Sequence, residues 1–422
     1  MRLFAFELKK IWLRPTIFML LVLGLLTFVT ILYPVIRSYN NYSGVYGDYK
    51  TELFLEYGET LEPEEYAEID IPGKIAELRE KAQAIINDDP LYAKYEIYSI
   101  EDMNNFNPYE YIQYDEPISE SEQQQRNMDF ALMQQKLYSS WYINAEGEII
   151  FTENFSGPIP RIMHWETISS RYAHLAGGKN PVEVQAQYSE SSVVQKQAEK
   201  FIESYNSNLI RYDLTNNFSM WATLICIFAV IAVVLLTAPT LVNDRSQGLH
   251  YIQYSASAGR KTLKTQFVAA AFSSVILGAA VVGAAYAAYF GLTDSGLYWN
   301  AHIADYSGTF FMYNITLSQY VFILGGMTIL LCAATGCFAF MMARYSANIV
   351  TLMIKAVPIA AAISGAAFIS MYGLLSSDNI LFHDIFRGNI EFTEFILCGF
   401  IWFFGIIAAG LIVRHERRVD VV

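Results

Sequence analysis

Apolar residues in this chain do not recur at the period of a soluble core. They are gathered into six long runs, at 16–36, 218–242, 263–290, 320–342, 349–375 and 395–413. Runs of about 18 or more apolar residues are what a helix needs to cross a hydrocarbon layer roughly 30 Å thick. The pattern predicts an α-helical polytopic membrane protein with six transmembrane helices. One span comes first, then a long polar stretch, then five more spans.

Ahead of the first run, residues 1–14 read as a basic amphipathic helix. Leu3, Phe4, Leu8, Ile11 and Trp12 share a helical face, with Glu7, Lys9 and Lys10 mostly turned away. Such a helix suits a position flat in the cytoplasmic interface, which makes Glu7, Lys9, Lys10 and Trp12 candidate entrance-helix residues. A signal peptide is the rival reading. The run at 15–36 is longer than an ordinary signal core and no small-x-small site follows it, so an uncleaved first span is expected.

Composition sharpens the division. Hydrophobic residues make up 54 % of the chain and charged residues only 16 %. The formal net charge is −13, but it is unevenly spread. Residues 37–217 hold 31 Asp and Glu against 14 Lys and Arg, while the rest of the chain is net basic. An acidic domain and a basic membrane part are therefore joined. No basic stripe lies outside the short loops, so no nucleic-acid partner is expected. Cys226, Cys332, Cys337 and Cys398 all fall inside apolar runs, and the polar domain is expected to hold without disulfides.

Orientation follows from the short loops. Arg2, Lys9, Lys10 and Arg14 precede the first span; Arg245, Arg260, Lys261 and Lys264 lie between the second and third. Arg344 lies between the fourth and fifth, and Arg414, Arg417 and Arg418 follow the sixth. The opposite loops offer only Arg387. These clusters share one side if both termini are cytoplasmic, with residues 37–217 extracytoplasmic and 414–422 a cytoplasmic tail. The spans of 218–413 are rich in small residues, such as Gly278, Gly283, Gly325, Gly326 and Gly336, as expected where helices pack closely in lipid. Lys355 lies just inside the fifth span, where snorkelling to the interface is the favoured reading over a buried functional charge.

Within 37–217 the spacing predicts helices around 75–86 and 122–142 and a hairpin over 142–151. It also predicts a long helix from Pro181 towards the second span. The expected domain is mainly helical, α with minor β. His164 and His174 are its only histidines, and neither stands in a metal-ligand spacing or an acid–base set. No catalytic, cofactor or metal site is expected.

The second and third spans are joined by a segment, 243–262, that carries its own chemistry. Asp244 and Arg245 come first, then Gly248, the apolar stretch Leu249 to Tyr254 with Leu249 and Ile252 on one stripe, and Ser255. A basic turn, Arg260 and Lys261, leads to Lys264. An apolar stripe in water must find lipid or protein. This segment resembles the cytoplasmic loop of ABC-2 type transporter permeases, whose short helix docks on a separate ATPase subunit. The opening Phe6-Glu7-Leu8-Lys9-Lys10 is similar to that family's entrance helix. The layout of one span, a large outer domain and five spans looks like its sodium-efflux and drug-efflux members. The outer segment 376–394 is similar to the short helices that precede its last span. Ala258 stands where a proline is often found.

The resemblance implies the permease subunit of an ATP-binding-cassette exporter in the cell membrane of a bacterium. Asp244, Arg245, Gly248, Leu249, Ile252, Ser255, Arg260, Lys261 and Lys264 would then form the ATPase-coupling loop. It also implies a second permease, identical or homologous, as partner. The chain lacks a phosphate-cradling Gly-x-x-x-x-Gly-Lys motif, so ATP and Mg would belong to the partner subunit. The alternative is a membrane sensor whose outer domain binds a ligand and signals inward. An ion-coupled transporter is disfavoured by the lack of acidic residues within the runs.

Overall fold

The computed structural model describes residues 2–42, 48–106, 119–139, 141–143, 149–151, 157–177, 208–248, 259–303, 315–373 and 393–416. These residues form two compact units, divided at Arg37/Ser38 and again at Arg211/Tyr212.

Among the described residues, six helices are long and apolar enough to cross a membrane: Arg14–Asn40, Asp213–Asp244, Thr262–Leu292, Leu317–Arg344, Ile349–Tyr372 and Glu394–Glu416. They are called the first to sixth spans below. The chain is thus a multi-pass, α-helical membrane protein. Most spans run past the apolar runs, because a helix continues until its backbone is capped, not until its side chains turn polar. The fourth span begins in a capping box, where Thr316 Oγ1 accepts from Gln319 N at 3.3 Å and Gln319 Oε1 accepts from Thr316 N at 3.1 Å. The fifth begins at Asn348, whose Oδ1 accepts from Thr351 N at 2.9 Å.

The second and fourth spans are the centre of the first unit. About two thirds of their apolar stretches are buried inside the protein, 67 % and 61 %, against 17 % for the first span. Glycines set how closely neighbours approach. A Cβ at Gly278 would press on Cys332, one at Gly325 on Val282, and one at Gly336 would overlap the Ser274 side chain. The third and fourth spans are therefore in contact at three levels through residues with no side chain. Among the described residues, nothing lies against the Cβ positions of Gly283 and Gly326. Two spans contain a π-helical turn, Phe28–Leu32 in the first and Phe368–Gly373 at the end of the fifth. Hydroxyls of Thr27, Thr30 and Ser370 bond back to carbonyls one turn earlier. Such turns widen a helix and shift the faces beyond them.

The second unit is helical with one hairpin among its described residues. Its helices are α2 (Asp48–Tyr57), α3 (Pro63–Glu68), α4 (Ile71–Asp88), α5 (Pro90–Lys94), α6 (Ile100–Asn105), α7 (Glu120–Tyr138) and α8 (Pro158–Arg171). The 75–86 helix is present and longer at both ends, started by Asp70, whose side chain accepts from Gly73 N. The helix expected over 122–142 ends earlier, because Ser139 turns left-handed at φ 56° and caps it. Trp141–Ile143 then pairs antiparallel with Ile149–Phe151, as β1 and β2, with Tyr142 opposite Ile150. The helix expected from Pro181 and the segment 376–392 lie outside the described residues.

Ala82, Ile86, Tyr92, Met133, Leu137 and Ile162 form one core of this unit. Tyr49, Leu53, Leu61, Ile168 and Tyr172 form another. Asp129 anchors the first: its carboxylate accepts from Lys94 Nζ (2.5 Å), Tyr95 Oη (2.7 Å) and Gln125 Nε2 (2.8 Å). Burial alone would raise its pKa, but these donors hold the carboxyl below the usual range.

Candidate functional site

The basic helix at the start of the chain is α1, Arg2–Ile11. Phe4, Leu8, Ile11 and Trp12 recur at helical spacing, and all four pack against residues of the second and third spans. Phe4 lies 5.8 Å from Phe272, ring to ring, and Trp12 Nε1 donates to Ser273 Oγ at 3.0 Å. The expected apolar face is there except for Leu3, which is exposed, and it is seated on protein.

That seating corrects the expectation for Glu7, which is buried and not turned away from the apolar face. A helical wheel gives the angle of a side chain but not its neighbours. Here the neighbours are polar. The Lys10 ammonium pairs with the Asp244 carboxylate, and Gln266 Nε2 reaches the same carboxylate at 3.4 Å. Burial pushes the Glu7 carboxyl up. Lys10 opposes that shift, the Asp244 charge adds to it, and a hydrogen bond with Gln266 opposes it. The cluster of Glu7, Lys10, Asp244 and Gln266 joins α1 to the adjoining ends of the second and third spans.

Asp244 lies at the end of the helix Tyr212–Ser246, where Ser246 Oγ and Gln247 N both donate to Asn243 O at 3.0 Å. Gly248 follows with φ 72°, in the left-handed region that glycine occupies without a Cβ penalty. This is the physical reason a glycine stands there. Arg245 belongs to the last turn of that helix, and Arg260 and Lys261 to the first turn of Gly259–Leu292. Lys264 and Lys9 are exposed. Leu249, Ile252 and Ser255 lie outside the described residues.

Of the residues singled out from the sequence, Glu7, Lys10, Trp12 and Asp244 come together. Gln266 and Ser273 complete the cluster and were missed. They are polar residues seven apart in an apolar run, hence on one helical face, and that spacing was the available signal.

A second polar junction lies at the ends of the fourth and sixth spans. Arg344 Nε and Nη2 both donate to Glu416 Oε2, at 2.8 and 2.5 Å, and both residues are buried. Arg344 is therefore not a free loop cation. Lys355 Nζ donates to Tyr345 O at 2.5 Å, so its ammonium is satisfied by backbone near the start of its own helix.

Among the described residues, no group of three or more His, Cys, Asp or Glu side chains is placed to hold a metal ion. His164 is buried against Tyr49, with ring centroids 5.1 Å apart. Its pKa is pushed down to about 4 by burial, with Arg161 adding to the shift. Comparison with protein-family models, with curated proteins and with solved structures returns no match.

Proposed function

We propose that this chain is the membrane subunit of an exporter driven by a separate ATP-binding subunit, with a second permease, identical or homologous, completing the pathway. One observation carries the reading. The segment between the second and third spans leaves from beside the Lys10–Asp244 pair, which ties α1 to the end of the second span; Gln266 links that end to the start of the third, and Trp12–Ser273 ties α1 to the third span further along. A push on that segment would reach the second span, the third span and α1 together, and through α1 the first span. This is the mechanical property a coupling segment requires.

In this reading both termini are cytoplasmic, residues 37–217 face outward in the cell membrane of a bacterium, and Gly248, Leu249 and Ile252 meet the ATPase. ATP and Mg belong to that partner, and this chain carries no catalytic residue of its own. Peptides, antibiotics, lipids and ions fit the proposal as cargo, and the acidic outer domain suits a cationic partner.

The test is purification of the tagged full chain from its native membranes in mild detergent. A stoichiometric ATPase that co-purifies, and is lost in Gly248→Asp and Leu249→Glu, supports the proposal. A clean chain without ATPase, under conditions that keep known complexes intact, refutes it and favours a ligand-sensing protein.

A further inference from the structure

An elongated cavity of about 570 Å³ runs between the first, second and third spans. The first span supplies Leu20, Gly24 and Phe28, the second Phe228, and the third Leu277 and Ala284, with Trp12 at one end. Its lining is almost wholly apolar. From Ile17 to Leu32 it follows the first span for roughly 22 Å at 1.5 Å per residue, along the bilayer normal if the span crosses directly.

Small residues keep it open. A Cβ at Gly24 would come into ordinary van der Waals contact with the Phe228 ring, at 3.4 Å, so a larger side chain there would enter the cavity. Ala280, Ala284 and Ala288 recur every fourth residue on the facing helix. The first span is the least buried of the six, so the cavity is walled by a helix whose other side faces lipid. An unfilled apolar space forfeits dispersion contacts along its length, and the polar lining residues Thr27 and Trp12 already donate to Leu23 O and Ser273 Oγ, which leaves little to hold water there.

The end of the cavity at Trp12 is basic. Arg14 is exposed, one turn before Ile17. On the outer face of α1, Arg2 and Lys9 are exposed beside Leu3 and Phe6, and Leu13 just after it is exposed too. Lys10 is taken by Asp244, and Arg2, Lys9 and Arg14 are the exposed cations among residues 2–14. Apolar anchors interleaved with cations fit an anionic headgroup layer.

We propose that this groove is a site for one anionic phospholipid of the leaflet that holds α1, with an acyl chain in the groove and its phosphate on Arg14. The site requires the first three spans to lie in a bilayer and does not depend on an ATPase partner. Failure of the pull-down above would leave it standing, and its own failure would leave the exporter reading untouched.

The test is native mass spectrometry of the detergent-purified full chain, titrated with an equal mixture of phosphatidylglycerol and phosphatidylcholine bearing the same acyl chains. One phosphatidylglycerol is expected to be retained in preference to phosphatidylcholine. Arg14→Gln is expected to cut that preference about fivefold, the effect of one basic residue near an anionic surface. Gly24→Leu and, separately, Ala284→Leu fill the groove and are expected to reduce retention of both lipids at an unchanged thermal midpoint. If one variant fails to fold, the other carries the test. Equal retention of the two lipids by the unmodified chain overturns the proposal. So does undiminished retention in the filled variants, or a second copy of the chain bound in place of lipid.

Discussion

The Lys10 ammonium lies against the Asp244 carboxylate, joining residues 234 positions apart in the chain. The pair sits beside Glu7, which is itself buried, so Lys10 faces two carboxylates. Removing the cation leaves uncompensated negative charge away from water.

Lys10→Met is therefore expected to destabilise the full chain by about 1–3 kcal/mol, less than for a fully buried pair because Lys10 retains some solvent contact. Asp244→Asn in the Lys10→Met background should recover part of the loss, since it removes one of the stranded charges. Thermal midpoints of the single and double variants form a double-mutant cycle. Strictly additive effects would show that the contact contributes nothing to stability.

The third and fourth spans meet at Gly336, where an added methyl would overlap the Ser274 side chain. Gly336→Ala should cost about 1–3 kcal/mol by overpacking. Gly326→Ala, in the same helix but facing open space, should stay within about 0.5 kcal/mol. Ser274→Gly combined with Gly336→Ala relieves the overlap and is expected to restore the midpoint. Equal losses for Gly336→Ala and Gly326→Ala would contradict the packing described here.

His164 has its pKa pushed down to about 4 from the ordinary 6.5. As pH falls below 6.5, the unfolded chain takes up a proton that the folded chain refuses. Stability contributed by the neutral ring is thus present above 6.5 and lost progressively towards pH 4. The unit containing His164 should lose up to about 1 kcal/mol per pH unit over that window. Emission of Trp165 in a background with the other five tryptophans replaced by phenylalanine, followed through thermal melts at pH 7, 6, 5 and 4, measures this. His164→Gln should flatten the dependence, and an unchanged slope in that variant would assign it to other groups.

How much of this was legible beforehand differs from element to element. The six apolar runs announced six spans, because crossing hydrocarbon demands a continuous apolar length that few other structures need. The hairpin around 142–151 was also visible, from alternating apolar residues about a turn. The early end of α7 was not, since it depends on Ser139 adopting a left-handed conformation that its neighbours do not dictate.

In the candidate site, Asp244 and Gly248 stood out as the acidic residue and the glycine of the loop pattern between the second and third spans. Lys10 stood out as part of a basic helix, and no local pattern linked it to Asp244.

The sequence by itself determined what depends on short-range or averaged properties. These are the number of spans, the polar domain between the first two, the charge asymmetry of the loops, and the amphipathic character of residues 1–14. Only the tertiary structure decided that α1 is seated on the second and third spans with Glu7 buried, and that Arg344 is bound by Glu416. It alone showed that the first span stands off far enough to leave a groove. Each of these depends on which distant side chain fills the space opposite, and hydrophobic period carries no record of that partner.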